Sequence, residues 1–241
     1  MRPCSALPCG FRNTVMFDHS TLLIAAAMPR EISALKGRLP EYCSTIVTGV
    51  GAENAEKSLR GFLSNSLPAA VIAIGFAGAL TAELKVGDIV VSKQVIDLKN
   101  EPITASLLQE SVIAGSILSV HKMICTASEK QELASMLANH HPLCVDLESF
   151  AIAQVCRDYD VPFVIIKCIT DLLDEDLPLD FNLYRTADGN LNSFAIASAA
   201  GVQPAVWKGL LELRHRTLIC AERLAGFLEK TTFKHLLKYS H

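Results

Sequence analysis

Short apolar runs alternate along the chain with segments in which apolar residues recur every three or four positions. The runs at 21–27, 43–48, 69–75, 87–97, 122–125 and 162–169 predict strands. The periodic segments 30–38, 52–64, 105–118, 128–139, 148–159 and 203–230 predict helices. Runs such as Ala69-Ala-Val-Ile-Ala-Ile are apolar at every position, which suits strands covered on both faces. Strand–helix alternation with no dividing linker predicts a single α/β domain: a central, twisted, mixed but mostly parallel sheet flanked by helices. Val161-Pro162 ends the helix at 148–159, because a residue before proline is pushed out of the α region, and Pro162 opens the next strand.

Composition narrows the function classes. The 241 residues are 50% hydrophobic, enough for one large core. A net charge of −3, with no basic block in the first 200 residues, gives no footprint for nucleic acid. The eight cysteines form no C-x-x-C and no metal-ligand spacing. Most sit inside apolar runs, as buried thiols do in a reducing cytoplasm. Residues 1–20 read as a disordered leader and 21–241 as the domain, with Met16 an alternative start. The apolar run after the leader is short and preceded by Asp18 and His19, which disfavours a secretion signal. The tail 203–241 is helical and basic, so 201–241 carries +4 against −7 for the rest. Its apolar residues interleave with the basic ones. Such a helix suits either packing on the sheet with its lysines at the edge, or peripheral contact with an anionic membrane.

The most informative stretch is 145–171, which reads as acidic loop, helix, turn, buried strand and acidic loop. Glu148 lies at the mouth of the helix and Asp171 just past the carboxyl end of the strand, the edge where open α/β sheets bind ligands. Each also has an ordinary explanation. Asp171 could be a turn or cap aspartate, and Glu148 and Glu31 could be first-turn glutamates that offset a helix dipole. Gly49 and Gly51 lie between a strand and a helix, where backbone N–H groups approach an anion or sugar, or simply make a turn. Gly75 and Gly78 follow the 69–75 strand in the same way.

Four segments together resemble the purine nucleoside phosphorylase/uridine phosphorylase superfamily. They are Ile24-Ala-Ala-Ala-Met-Pro-Arg-Glu31, Thr48-Gly-Val-Gly-Ala-Glu-Asn-Ala55, Ile74-Gly-Phe-Ala-Gly-Ala-Leu80 with Leu84-Lys-Val-Gly-Asp-Ile-Val-Val91, and 145–171. The general pattern is nucleosidase-like, that of the methylthioadenosine/S-adenosylhomocysteine nucleosidases. Cys125-Thr-Ala-Ser-Glu-Lys-Gln-Glu-Leu133 and Thr170-Asp-Leu-Leu-Asp-Glu-Asp-Leu-Pro178, followed by Asp188-Gly189, are similar to the hopanoid-associated branch.

The resemblance implies an enzyme that releases adenine by cleaving the N-glycosidic bond of a 5′-substituted adenosine, with an adenosyl hopanoid as first expectation. Asp171 is implied as the acid toward purine N7, Glu148 as the ribose-hydroxyl ligand and Glu31 as the residue that handles the nucleophile. Leu147, Phe76, Gly78 and Thr170 are expected to contact substrate. Arg30, Gly49, Gly51 and Lys167 are expected to form a nucleophile or phosphate pocket. No metal or organic cofactor is implied, although phosphate could be a co-substrate, and a homodimer is implied.

The chain departs from the pattern at several points. Phe76 stands where nucleosidases carry serine, Lys167 where they carry arginine, and Ala73 where classical phosphorylases carry a phosphate-binding arginine. Residues 98–121 are too few for the nucleosidases' middle insertion. Hydrolysis and phosphorolysis both remain open at this point. So do three alternatives: methylthioadenosine/S-adenosylhomocysteine cleavage, phosphorolysis of a simple nucleoside, and a non-catalytic nucleoside-binding module.

Overall fold

The computed structural model describes residues 16–99, 101–105, 113–186 and 191–231. Its strands are β1 (Met16–Ala26), β2 (Cys43–Val47), β3 (Ser66–Ala79), β4 (Ile89–Ile96), β5 (Ile103–Thr104), β6 (Ile113–Ser119), β7 (Pro142–Asp146) and β8 (Phe163–Asp171). The helices are α1 (Pro29–Ser33), α2 (Ala52–Leu63), α3 (Ala127–Met136), α4 (Ser149–Asp158), α5 (Ser193–Ala200) and α6 (Pro204–Lys230), with a 3-10 turn at Phe181–Tyr184.

The apolar runs at 69–75 and 162–169 form the spine. β3 pairs in parallel with β1 on one side and β8 on the other. β2 extends the sheet beyond β1, also in parallel. Past β8 the sheet closes on itself. β8 pairs antiparallel with β4, β4 runs parallel to β6, β6 parallel to β7, and β7 returns antiparallel to the end of β3 at Gly78 and Ala79. The sheet is therefore mixed and mostly parallel, as the alternation predicts, but one end is a closed ring. Closure bends the carboxyl ends of β1, β3, β7 and β8 toward one another.

Helices α2 and α4 cover one face, with Leu59, Leu63, Ile152 and Val155 packed against Val71, Ala73 and Ile165. The C-terminal half of α6 covers the other, burying Cys220, Leu224, Ala225 and Leu228 against Leu22, Ile72 and Val164. Each leucine buried this way contributes roughly 2 kcal/mol. The tail helix thus packs on the sheet, while Leu211 and Leu218 on its outer side stay exposed. Among the described residues no helix is long and apolar enough to cross a membrane.

Four expectations change. Residues 113–118, read as the end of a helix, form β6, because the ring leaves a slot between β4 and β7 that only a strand fills. Gly115 allows the close fit: a Cβ there would lie 2.5 Å from Leu143 Cδ1. Residues 122–125, read as a strand, form a turn leading into α3, and the ring strand is instead the short β7. The last residues of the expected leader, from Met16, pair with β3 at Ser66 and Leu67. Helix α1 is only five residues long and breaks into turns by Gly37, whose φ is +75°. Residues 1–15, most of the central part of the expected helix at 105–118, Asp188-Gly189 and the tail beyond 231 lie outside the described residues.

Candidate active site

Glu31, Arg30, Phe76, Gly78, Leu147, Glu148, Thr170 and Asp171 line one cavity of about 310 Å³ at the carboxyl ends of the converging strands. They come from four separate stretches of the chain. Ring closure is what brings them together.

Glu31 is carried by α1, directly after β1. Its carboxylate accepts the Met28 N–H (2.8 Å) and, across from the end of β3, the Phe76 N–H (3.1 Å). Burial pushes this carboxyl above the usual range, against the pull of Lys167 and of the backbone donors at Met28 and Phe76. Gly75 lets Glu31 come this close: a Cβ there would lie 3.0 Å from both Glu31 Oε1 and Lys167 Nζ.

Glu148 stands at the start of α4 and accepts the Gly51 N–H at 2.7 Å. Gly51 has φ +93° and opens α2, so the glycine loop presents its backbone donor to this carboxylate. Arg185 closes over the same loop, with Nη2 2.5 Å from where a Gly51 Cβ would stand. Burial, reinforced by the Asp146 charge, pushes Glu148 up to about 7. Between pH 4.5 and about 7 the folded protein therefore holds a proton that the unfolded chain releases. The carboxyl costs stability as pH rises through that window. Glu148→Gln is expected to raise the stability of the ligand-free protein by about 1–3 kcal/mol at pH 8, and by almost nothing at pH 4. Thermal melts at the two pH values check this.

Lys167, on β8 and 3% exposed, lies beneath the cavity. Its ammonium is 2.6 Å from Asp146 Oδ2. Asp146 also accepts from the Ser119 hydroxyl (2.8 Å), the Ser149 hydroxyl (2.6 Å) and the Ser149 N–H (3.1 Å), which caps α4. Burial works against the Lys167 ammonium, but Asp146, Glu148 and Glu31 outweigh it and hold the amine above its ordinary value. Three carboxylates thus surround one ammonium under the pocket floor.

Asp171 ends β8. Oδ1 accepts from the Thr170 hydroxyl at 2.8 Å, and Oδ2 meets the Lys130 ammonium at 2.5 Å. Its side chain rests on Gly78, where a Cβ would lie 2.8 Å from Oδ2.

Several residues of the site were not foreseen from the sequence. Asp146 sits two positions from Glu148 and reads as part of the same acidic loop. Lys130 sits among Glu129, Gln131 and Glu132 and reads as a solvated helix face. The far wall of the cavity is apolar, formed by Leu177, Phe181, Leu191, Ile196, Leu210 and Leu213. Those residues belong to the 3-10 turn, α5, α6 and the adjoining loops, a region whose sequence signals were the segment ending at Pro178, Asp188-Gly189 and the helical tail. Among the described residues no group of His, Cys, Asp or Glu could hold a metal ion.

The arrangement can protonate a leaving group at Asp171, hold hydroxyls at Glu148 and handle a water at Glu31. The model of the phosphorylase superfamily matches residues 25–105 and 103–200. A methylthioadenosine/S-adenosylhomocysteine nucleosidase from Haemophilus ducreyi is 30% identical over 195 residues, covering 69% of this chain and 82% of the relative. One from Shewanella pealeana is 26% identical over 176 residues, covering 62% and 76%. The crystal structure of the Neisseria meningitidis nucleosidase in complex with methylthio-immucillin-A has the same fold, with a TM-score of 0.61 at 17% identity over 88% of this chain and 100% of that one. Futalosine hydrolase from Helicobacter pylori also shares it, with a TM-score of 0.61 at 17% identity over 91% and 97%. The chain belongs to the phosphorylase superfamily and is an enzyme of N-glycosidic bond cleavage.

Proposed function

We propose that the protein hydrolyses the N-glycosidic bond of a 5′-substituted adenosine and releases adenine. One observation carries this reading: a single cavity joins Asp171, Glu148 and Glu31 to a largely apolar wall. Bond cleavage in an N-riboside passes through an oxocarbenium-like sugar. Asp171 gives its proton to purine N7 as the bond to C1′ breaks. Glu148, once ionised, accepts from the 2′- and 3′-hydroxyls. Glu31, whose burial raises its proton affinity, orients water and takes its proton. Phe76, Gly78, Leu147 and Thr170 form the walls around base and sugar. The polar chemistry is supplied by side chains and water.

Hydrolysis is favoured over phosphorolysis by the charges below the floor. Lys167 is already bonded to Asp146, and Glu31 and Glu148 flank it, so a phosphate dianion would meet three carboxylates around one engaged ammonium. Arg30 is exposed at the rim.

The apolar wall supports a large, greasy 5′-substituent, of the kind an adenosyl hopanoid carries. Phe194 and Leu183, on the same short elements as Ile196 and Phe181, are 84% and 74% exposed and extend that surface outward. A second reading, methylthioadenosine or S-adenosylhomocysteine as substrate, is favoured by the names of the relatives. A series of 5′-alkylthioadenosines separates the two. With an apolar-tail substrate, kcat/KM should rise about fifteenfold for each two methylenes buried, as expected for apolar burial. A maximum at the methyl compound, falling with length, would establish the second reading instead.

A further inference from the structure

Among the described residues the most deeply buried charge is one that the proposed chemistry does not yet use. Lys130 is fully buried on the first turns of α3. Lysine is almost never fully buried unless it is paired. Its three N–H donors meet three acceptors: Asp171 Oδ2 at 2.5 Å, the Leu172 carbonyl at 2.7 Å and the Glu175 carbonyl at 2.9 Å. The carboxylate of Glu175 faces elsewhere, toward Arg216 at 2.6 Å and the Leu172 N–H at 3.1 Å. Among the described residues Asp171 is thus the carboxylate bonded to this ammonium.

The local sequence builds the arrangement. Thr126 and Glu129 form a capping box that fixes the start of α3, and Glu129 is also bonded to Lys122. Residue 130 is thereby turned inward, under the loop that follows β8.

We infer that Lys130 is a positioning residue for the reaction, holding Asp171 in place and stabilising the carboxylate that forms as Asp171 gives up its proton. The inference rests on Asp171 being the acid. In that step the C1′–N9 bond breaks and its electron pair passes to the purine. Asp171 takes up a proton from solvent as the purine binds; that proton moves to N7, and Asp171 returns to the carboxylate that Lys130 pairs in the free protein. Lys130, itself fully buried, already stands where that charge develops, and it need not move during the step. Preorganised charge of this kind lowers the barrier without tightening substrate binding. Two neutral carbonyls alone would not require a cation.

The test compares wild type, Lys130→Met, Lys130→Arg and Asp171→Asn on 5′-methylthioadenosine and on its 7-methyl derivative, whose purine leaves without taking a proton. Lys130→Met is expected to lose about a hundredfold in kcat on the first substrate, with KM within threefold. Lys130→Arg should recover at least a tenth of wild-type kcat. On the 7-methyl compound all three variants should stay within about threefold of wild type. If Lys130→Met fails to fold, Lys130→Gln, which keeps N–H donors for the two carbonyls, carries the same comparison. Equal losses on both substrates, or unchanged kcat on the first, would overturn the inference. If Asp171→Asn also keeps its kcat, the acid assignment itself fails, which is a separate result.

Discussion

Asp171→Asn is expected to lower kcat for adenine release by about a thousandfold, the scale of losing a general acid whose leaving group cannot depart unprotonated. KM should change by only a few fold, because Glu148 and the apolar wall still hold the sugar and its substituent. The substitution also leaves Lys130 buried opposite a neutral amide, with only the carbonyls of Leu172 and Glu175 as strong acceptors. A stability loss of about 3 kcal/mol follows from removing one partner of a buried ion pair. Steady-state kinetics and a thermal melt on the same preparation separate the two effects. A variant that melts earlier but keeps its kcat would show that Asp171 serves only the fold.

Glu31→Gln is expected to have an effect of similar size for a different reason. Glu31 accepts two backbone N–H groups, and burial keeps its proton affinity high, which suits a base toward water. A glutamine can accept one of those donors, but it turns an N–H toward the other, costing about 1–3 kcal/mol of local stability. Turnover should fall by about a thousandfold. Azide, a nucleophile that needs no base, should restore part of that loss and form the ribosyl azide. It should restore nothing to Asp171→Asn, where the leaving group is the obstacle. Rescue of both variants, or of neither, would contradict the division of roles between the two faces of the sugar.

Much of this was legible in the chain, and what was not has physical reasons. The spine strands β3 and β8 were plain because both faces are covered and nearly every position is apolar. Glu31, Glu148 and Asp171 could be placed because each follows a readable strand or opens a readable helix. The ring was harder. Ile113-Ala-Gly-Ser-Ile-Leu-Ser contains good helix formers, and nothing local reveals that β4 and β7 leave a strand-shaped slot for it. Pro142-Leu-Cys-Val-Asp is too short to stand out before its partners are known. Lys130 was hidden by its neighbours, since Glu-Lys-Gln-Glu looks like a solvated face until the β8 loop is laid over it. The apolar wall was hidden by distance, because Leu177, Leu191 and Leu213 mean little separately.

The closed ring also bears on why the charges are stable where they are. Asp146 and Lys167 are 1% and 3% exposed at their side chains. An isolated ion at such depth is costly, and a pair survives there only when its remaining lone pairs and protons are satisfied. Ser119, Ser149 and the first N–H of α4 supply that satisfaction for Asp146, and each comes from an element that the ring brings to this point. Burial raises the proton affinities of Glu31 and Glu148 against the pull of Lys167.

The most direct test of the account is adenine release from 5′-substituted adenosines in phosphate-free buffer prepared with water labelled with heavy oxygen. The account predicts adenine release at a rate that added phosphate leaves unchanged, with one labelled oxygen at C1 of the freed sugar. Strict dependence on phosphate with formation of ribose 1-phosphate, or no adenine from any of the substrates, would contradict it.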